Sequence, residues 1–149
     1  GVIVNITADA WMSLPTMGHS GAARAGMENF TMTAAVEWGR HGIRVNSVAP
    51  GWIITSGFDT YGSDWGDHMR SLEKYEPLNR LGREAEVSAA IVFLLSPAAA
   101  FISGSCIRVD GAAPNLQHNF PLPEGPGNKH FAGFHREVMP KVFDNSDDN

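Results

Sequence analysis

The chain has 149 residues, of which 43% are hydrophobic and 18% charged, a composition typical of one folded globular unit rather than of a disordered or fibrous chain. Acidic residues outnumber basic ones by 16 to 11, and the net charge of -5 disfavours nucleic acid and anionic membrane surfaces as partners. No apolar run approaches the roughly 20 residues of a membrane helix, and the single cysteine, Cys106, favours a reducing cytoplasm.

The chain opens with the apolar, β-branched run GVIVNI at residues 1–6. Such a run predicts a strand covered on both faces in a parallel sheet, and a parallel strand needs neighbours that are reached through crossover helices. We therefore expect the chain to begin inside a fold whose earlier part is missing. The loop that follows, over residues 7–18, carries the polar side chain of Asp9.

A helical pattern follows at residues 19–40, where small and aromatic apolar residues recur every three to five positions. Ser20 is the expected N-cap, and Gly39 and Gly42 bracket the expected helix end. The pattern therefore predicts a long helix that crosses back along the first strand.

A second β-branched run at residues 43–49 predicts the next strand, and Pro50 and Gly51 end it. Strand, helix and strand form a right-handed parallel unit, in which ligands bind beyond the carboxyl ends of the strands. Those ends are Thr7 onward and Pro50 onward, so the sequence predicts a site at the edge that these two turns share.

The rest of the chain alternates between irregular and periodic segments. Residues 55–82 predict an adaptable lid with a short helix near 67–75, and residues 83–96 predict a stronger helix followed by a strand at 105–109. The apolar face of the stronger helix is predicted to comprise Val87, Ala90, Ile91, Leu94 and Leu95. Beyond residue 112, prolines and glycines interrupt any period, so we expect an extension that packs on the surface or on a neighbouring subunit and ends in a disordered tail at Asp144–Asn149.

Several other kinds of site lack their motifs in this sequence. Gly18, Gly21 and Gly26 have neither the dinucleotide fingerprint nor the spacing of a phosphate loop, and we expect them to let the helix approach the sheet, a cofactor or a partner helix. The closest histidines, His130 and His135, lack helical spacing, and no Gly-x-Ser-x-Gly elbow occurs. The sequence therefore predicts no metal site and no hydrolase triad of that kind.

Four segments in this order and at these distances resemble the short-chain dehydrogenase/reductase family. They are IVNI at 3–6, HSGAARAG at 19–26, GIRVNSVAPG at 42–51 and the stretch 103–111 that ends in VDG. The resemblance covers residues 1–112 and implies an α/β fold, the C-terminal half of a doubly wound, Rossmann-like parallel sheet, with residues 113–149 as an extension. It also implies NADP or NAD as the cofactor.

The family uses a Ser with a Tyr-x-x-x-Lys motif, and this sequence departs from that pattern at each position. By the resemblance, Ser20 stands at the Tyr position, Arg24 at the Lys position, and Ala8 or Thr7 at the Ser position. An arginine can still hold two ribose hydroxyls through its planar fork. An aliphatic hydroxyl such as that of Ser20 is a poor general acid, although it can donate a hydrogen bond.

The resemblance assigns cofactor contacts to the turn after each of the first two strands. Pro50, Gly51, the Ile53 backbone and Thr55 match the family segment that meets the nicotinamide carboxamide and the phosphates. Thr7 and Arg24 complete the predicted cofactor-binding set, and Asp9 joins Ser20 and Arg24 as a predicted catalytic residue. Asp9, His19 or a bound water is the candidate proton source.

Within the family, the segment around Ser20 resembles peroxisomal trans-2-enoyl-CoA reductases and bacterial citronellol/citronellal dehydrogenases. A hydrogen-bond donor in place of an acid suits reduction of a C=C bond conjugated to a thioester, and dienoyl-CoA reductases of this family also have Ser at the Tyr position. The expected substrate is therefore an enoyl-CoA. A terpenoid alcohol and a non-catalytic, assembly role are the alternatives, and the resemblance implies a homo-oligomer, a dimer or tetramer. The fragment alone is expected to be inactive.

Overall fold

A computed structural model describes residues 1–10, 13–60, 63–117, 119–133 and 138–143. His135 and the polar tail Asp144–Asn149 lie outside the described residues. The chain forms two compact units, one of Gly1–Gly51 with Val87–Asp110 and one of Trp52–Glu86 with Gly111–Asn149. Each unit has its own hydrophobic core.

The strands and α-helices of the described residues are as follows: β1 (Val2–Ile6), α1 (Gly18–Gly39), β2 (Arg44–Pro50), β3 (Ile53–Ile54), α2 (Ser63–Leu72), β4 (Gly82–Arg83), α3 (Glu84–Leu95) and β5 (Cys106–Val109). Beyond residue 112, the described residues form only short 3-10 turns, at Ala113–Asn115 and Lys141–Phe143. The boundary at residue 112 stays a prediction. None of the described helices is long and apolar enough to cross a membrane.

The first unit is built on a parallel sheet with the strand order β1-β2-β5. In its register, Asn5 stands beside Ser47, and Ser47 beside Cys106. Because side chains alternate across a strand, these three residues share one face of the sheet, while Val4, Val48 and their neighbours share the other. The predicted parallel α/β architecture is confirmed.

The face that carries Val48 is apolar and packs on α3. Val48, Leu94 and Ala99 are buried there, and Val87, Ala90, Ile91 and Ile107 pack against them. Leu95, predicted for this face, is instead 45% exposed, because it follows Leu94 around the helix by about 100° and so points away from the sheet. The remaining predicted positions of the apolar face are confirmed.

Two polar side chains of β2 tie the end of α3 and the chain beyond it to the sheet. Arg44 Nη1 donates to Leu94 O at 2.9 Å and Nη2 to Ser96 O at 3.2 Å, which satisfies carbonyls left open at the helix end. The fully buried Asn46 amide donates to Ile102 O at 2.8 Å and accepts from Ser105 N at 3.1 Å. The sheet and α3 are therefore joined by hydrogen bonds as well as by apolar contact.

Helix α1 lies on the opposite, more polar face of the sheet and begins earlier than predicted. Its N-cap position is Met17, which makes no side-chain cap, so Ser20 stands within the first turn and the prediction that it caps the helix is wrong. The predicted end is confirmed, with Gly39 as the last helical residue and Gly42 at φ +70° just beyond it. A left-handed residue at this point suits glycine, which has no Cβ to clash.

The second unit has a small core of Ile54, Met69 and Leu81, with β3 and β4 paired in parallel. Helix α2 ends at Leu72, whereas the sequence predicted a helix over 67–75. Residues Glu73–Tyr75 tighten into a 3-10 turn, because Glu76 precedes Pro77 and is held in an extended conformation. The helical region is therefore displaced toward the N-terminus.

A carboxylate at the start of α3 joins separate segments of the second unit. Glu86 accepts from Arg80 Nη1 at 2.9 Å and Nη2 at 2.6 Å, and from the backbone N–H of Arg83 and of Phe131. Arg80 Nε also donates to Asn128 Oδ1 at 2.8 Å. These bonds tie residues 128–131 of the extension to the first turn of α3.

The ionised form of Glu86 stabilises the folded chain. Burial raises the pKa of its carboxyl, but the hydrogen bonds from Arg80, Arg83 and Phe131 outweigh burial and hold the pKa below the ordinary 4.5. A depressed carboxyl pKa contributes stability that is present above the unfolded value and lost as pH falls through the folded one.

In Glu86→Gln, the free energy of unfolding should therefore fall less steeply than in the parent chain as the pH is lowered through the range in which Glu86 titrates. Urea unfolding at a series of pH values below 6 measures it. Glu84→Gln is the matched control, since Glu84 lies in the same helical turn and makes no hydrogen bond within the described residues. Equal acid sensitivity of Glu86→Gln and the parent chain would contradict the assignment.

Gly51 allows the ends of β2 and β5 to approach closely. Its N–H donates to Val109 O at 2.9 Å, and a Cβ built on it would lie 2.8 Å from Asp110 Cα.

Gly51→Ala must push two backbones apart, so we expect it to lower the free energy of unfolding in urea by about 1–3 kcal/mol. Gly26→Ala, in a helical site with no atom within 4 Å, should stabilise the chain by about 0.5–1 kcal/mol instead. Equal stability of the two variants would refute this packing argument.

Candidate active site at the carboxyl ends of the strands

The polar groups predicted for the site meet at the carboxyl edge of the first unit's sheet. The ladder between β1 and β2 continues past Ile6, because Thr7 N donates to Val48 O at 2.9 Å and Asp9 N to Pro50 O at 3.1 Å. Asp9 is therefore held beside the end of β2. The predicted shared edge is confirmed for these two turns.

Arg24 reaches the same edge from α1. Its Nη1 donates to Ile6 O, the last carbonyl of β1, at 3.1 Å. The side chain is exposed, and this is its one hydrogen bond within the described residues, so its other N–H groups are available to a ligand. The guanidinium therefore lies at the carboxyl end of β1, and its contact with a cofactor stays a prediction.

A row of polar contacts joins α1 to β1, and we call it the polar seam: Arg24, Glu28 and Thr31 of the helix with Asn5, Ile6 and Thr7 of the strand. Asn5 Nδ2 donates to Thr31 Oγ1 at 2.9 Å, and Thr7 Oγ1 donates to Glu28 Oε1 at 3.1 Å. The helical residues are spaced at i, i+4 and i+7 and therefore lie on one face. The seam fixes how the helix sits on the strand.

Glu28 of the polar seam also contacts β5. The Cys106 thiol, in the strand on the far side of β2, donates to Glu28 Oε1 at 3.7 Å. Burial raises the pKa of this thiol, and the nearby Glu28 charge raises it further against the lowering effect of Ser47. Cys106 is thus an uncharged donor to Glu28, not a reactive thiolate.

Ser20 lies one helical turn before Arg24 on the same side of α1. Its side chain is half-buried, and its hydroxyl has no hydrogen-bond partner within the described part of the chain. A free hydroxyl at this position can donate to an oxygen of a bound molecule.

The carboxyl of Asp9 has an unusual electrostatic environment. Burial raises its pKa, the charge of Asp110 raises it further, Arg108 opposes them, and Glu28 adds a smaller increase. Arg108 opposes them only in part, because its Nε is bonded to Asp110 at 2.6 Å. Asp9 therefore holds a proton more readily than an exposed aspartate, as a proton donor must.

Thr7 is placed at the predicted edge, with its hydroxyl turned inward. The residue is 3% exposed, and its single hydroxyl proton has two acceptors, Glu28 Oε1 at 3.1 Å and Val48 O at 3.3 Å. Thr7 thus fixes the end of β1 from beneath α1. Its predicted contact with a cofactor stays a prediction.

The remaining predicted contacts divide between the two units. Pro50 and Gly51 belong to the first, where their backbone groups bond Asp9 and Val109. Ile53 and Thr55 belong to the second, where Ile53 pairs with Gly82 and the Thr55 hydroxyl accepts from Gly57 N at 3.2 Å. The cofactor contacts of all four stay predictions.

Sequence reasoning missed Glu28, Thr31, Asn5 and Cys106. A polar stripe at positions 24, 28 and 31 was visible as the i, i+4, i+7 spacing of one helix face. The family motif ends at Gly26 and therefore includes only the first of these three positions. Strand register was also needed to bring Cys106 near, and no local pattern provides it.

The described residues fit one end of a nicotinamide dinucleotide. Arg24 presents free N–H groups at a strand end, where a planar guanidinium can bind two neighbouring ribose hydroxyls. The loop after β1 has no glycine before Gly18 and thus no glycine-rich turn for a pyrophosphate. Among the residues described, no three His, Cys, Asp or Glu side chains group as metal ligands.

A family model described as enoyl-(acyl carrier protein) reductase matches residues 1–112. A probable 2,4-dienoyl-CoA reductase of Bacillus subtilis strain 168 is 42% identical over 113 residues, which are 74% of this chain and 44% of that protein. The peroxisomal 2,4-dienoyl-CoA reductase of Rattus norvegicus is 43% identical over 76% of this chain and 39% of its own length. The chain spans less than half the length of these relatives.

Solved structures show the same similarity. The citronellol catabolism dehydrogenase of Pseudomonas aeruginosa PAO1 is 60% identical with a TM-score of 0.62, over 76% of this chain and 42% of that one. An NADPH-bound short-chain oxidoreductase from the same organism, described as containing an atypical catalytic center, is 34% identical with a TM-score of 0.67, over 74% and 45%. With its parallel sheet and the matched residues 1–112, the chain belongs to the short-chain dehydrogenase/reductase family.

Proposed function

We propose that this chain supplies the substrate-facing half of an NAD(P)-dependent reductase that acts on the C=C bond of an enoyl-CoA. The observation that carries the proposal is the Arg24 guanidinium, bonded to Ile6 O at the carboxyl edge of the sheet with its remaining N–H groups free. Ligands of open α/β sheets bind at this edge. The arginine thus lies where the ribose of a dinucleotide would be held.

In the proposed reaction, Arg24 and Ser20 have different roles. NADPH or NADH, when bound, would supply the hydride for the β-carbon of the conjugated double bond. Arg24 holds the ribose hydroxyls and contributes a permanent positive charge. Ser20, one turn away, donates a hydrogen bond to the thioester oxygen, where negative charge develops.

The reaction then needs one proton at the α-carbon. Asp9 is our candidate donor, because burial and the Asp110 charge raise its pKa and favour the protonated carboxylic acid. Hydride and proton together saturate the bond, and the enolate oxygen returns to a thioester carbonyl. The Asp9 carboxylate regains its proton from solvent.

Ser20 favours this reaction over ordinary carbonyl reduction. Reduction of a carbonyl produces an alkoxide that needs a proton at the oxygen, and a serine hydroxyl cannot be tuned near neutrality as a phenol can. An enolate oxygen needs only a hydrogen-bond donor. The 2,4-dienoyl-CoA reductases among the relatives agree with this substrate class.

A second candidate is oxidation of a terpenoid alcohol. It is favoured by the 60% identity to the citronellol catabolism dehydrogenase, which exceeds the identity to either dienoyl-CoA reductase. In that reaction the substrate hydroxyl must lose its proton, and Asp9 as a carboxylate is the available base.

The substrate test uses the complete enzyme, since we propose that residues 1–112 form one half of the fold. NADPH oxidation with crotonyl-CoA is expected to exceed NAD(P) reduction with citronellol by at least about tenfold in kcat/KM. The reverse order would establish the alcohol dehydrogenase. Cofactor binding with turnover of neither would establish a non-catalytic role.

The role of Arg24 is tested by cofactor binding in the same protein. Arg24→Met should weaken NADPH binding, measured by nicotinamide fluorescence, by about tenfold or more, since a charged hydrogen bond contributes about 1.5–3 kcal/mol. Arg40→Met is the matched control, because Arg40 lies exposed just after the other end of α1. An unchanged Kd for Arg24→Met would remove the proposed ribose contact.

We further propose that α1 joins copies of the protein into a homo-oligomer, as the family resemblance implies. Apolar residues remain exposed along this helix in the chain by itself, among them Met32 at 51% and Val36 at 81%. Helices with apolar residues on several sides are normally covered by another element or another chain.

The free thiol Cys106 agrees with the predicted cytoplasmic location.

Val36→Glu should therefore reduce the oligomeric state of the complete protein, measured by light scattering after gel filtration. Gln117→Glu adds the same charge at an exposed residue of the second unit and should leave the mass unchanged. A Val36→Glu protein of unchanged mass would place the interface elsewhere.

A further inference from the structure

Glu28 is a charged residue whose position the proposed reaction does not by itself explain. Its carboxylate lies between α1 and the sheet and accepts from Thr7 Oγ1 at 3.1 Å and from Cys106 Sγ at 3.7 Å. The two donors come from the ends of different strands, β1 and β5. Burying a carboxylate is costly, so a helix that needed only packing at this position would favour an apolar side chain.

The two donors hold the Glu28 carboxylate in place. The Thr7 hydroxyl has one proton, and its alternative acceptor, Val48 O, lies at 3.3 Å. A carboxylate oxygen has more than one lone pair, so Glu28 Oε1 can accept the hydrogen bonds from Thr7 and Cys106 together. The Glu28 carboxylate is therefore fixed in position between the middle of α1 and the sheet.

Glu28 is bonded to the first residue beyond β1 whose backbone still pairs with β2. Thr7 and Asp9 occupy alternate rungs, bonded to Val48 O and Pro50 O, and so lie on the same side of the strand. Glu28 is bonded to the first of them. The chain that carries Asp9 thus begins at the residue that Glu28 anchors.

We propose that Glu28 is a positioning residue for Asp9: its carboxylate anchors Thr7 just beyond β1 and so holds a negative charge next to the turn that carries Asp9. This inference rests on the proposed function, in which Asp9 is the proton donor. It assigns to Glu28 a role that acts through Asp9, without contact between Glu28 and the substrate.

The charges that face Asp9 come from each element packed around it. The end of β5 contributes Asp110, which favours protonation, and Arg108, which opposes it. Helix α1 contributes Glu28, the smallest of these effects, while β2 holds the backbone of Asp9 through Pro50 O. The Arg108 charge is already shared with Asp110 at 2.6 Å, so Glu28 is the removable negative charge that leaves this ion pair intact.

The test titrates the Asp9 carboxyl carbon by NMR in the complete protein and, in parallel, measures kcat against pH with NADPH. Glu28→Gln removes the charge but keeps the size and an acceptor for Thr7. The Asp9 titration should move to lower pH. The basic limb of the kcat profile should move with it, because a general acid fails once it is deprotonated.

Two further variants separate charge from structure. Glu28→Asp keeps the charge and should titrate at Asp9 like the parent protein, even if its shorter side chain weakens the bond to Thr7. Glu37→Gln removes an equal charge from an exposed position of α1 and should change neither curve.

An unchanged Asp9 titration in Glu28→Gln would overturn the inference, as would equal shifts in Glu28→Gln and Glu28→Asp. If the parent protein does not reduce crotonyl-CoA and does not oxidise citronellol, the proposed function fails. The NMR titration still decides the inference in that case, because it needs no substrate.

Discussion

The arrangement of the first unit depends on the polar seam between α1 and the end of β1. Asn5 to Thr31, Thr7 to Glu28 and Ile6 to Arg24 are three consecutive hydrogen bonds between one strand and one helix face. Apolar packing tolerates sliding and rotation, whereas a row of hydrogen bonds specifies one register. The seam therefore decides where the guanidinium of Arg24 lies, and every proposal about the cofactor follows from that position.

The seam also sets the electrostatic character of the edge. Arg24 provides a permanent positive charge at the end of β1, while Glu28, Asp9 and Asp110 provide carboxylates close to it. Arg108 holds Asp110, so the charges are ordered into an ion pair, a fixed anion and a protonatable acid. In the function that we propose, Arg24 binds the cofactor and Asp9 donates the proton, so the two roles are separated in space.

The sequence indicated the architecture better than the site. The sequence predicted β1 and β2 from continuous apolar, β-branched runs and α1 and α3 from a helical period, and it predicted a strand where β5 lies. It failed on Ser20 as a cap, since Met17 occupies that position, and on Leu95, where one helical step changes the face. Glu28 and Cys106 could not be joined from the sequence, because 78 residues separate them and only the strand register brings them together.

The most direct test of the account is a crystal structure of the complete protein with NADPH bound. The Arg24 guanidinium should lie within hydrogen-bond distance of the nicotinamide ribose hydroxyls, with its bond to Ile6 O retained. A dinucleotide whose ribose lies away from the carboxyl end of β1, or an Arg24 side chain turned to solvent, would contradict it.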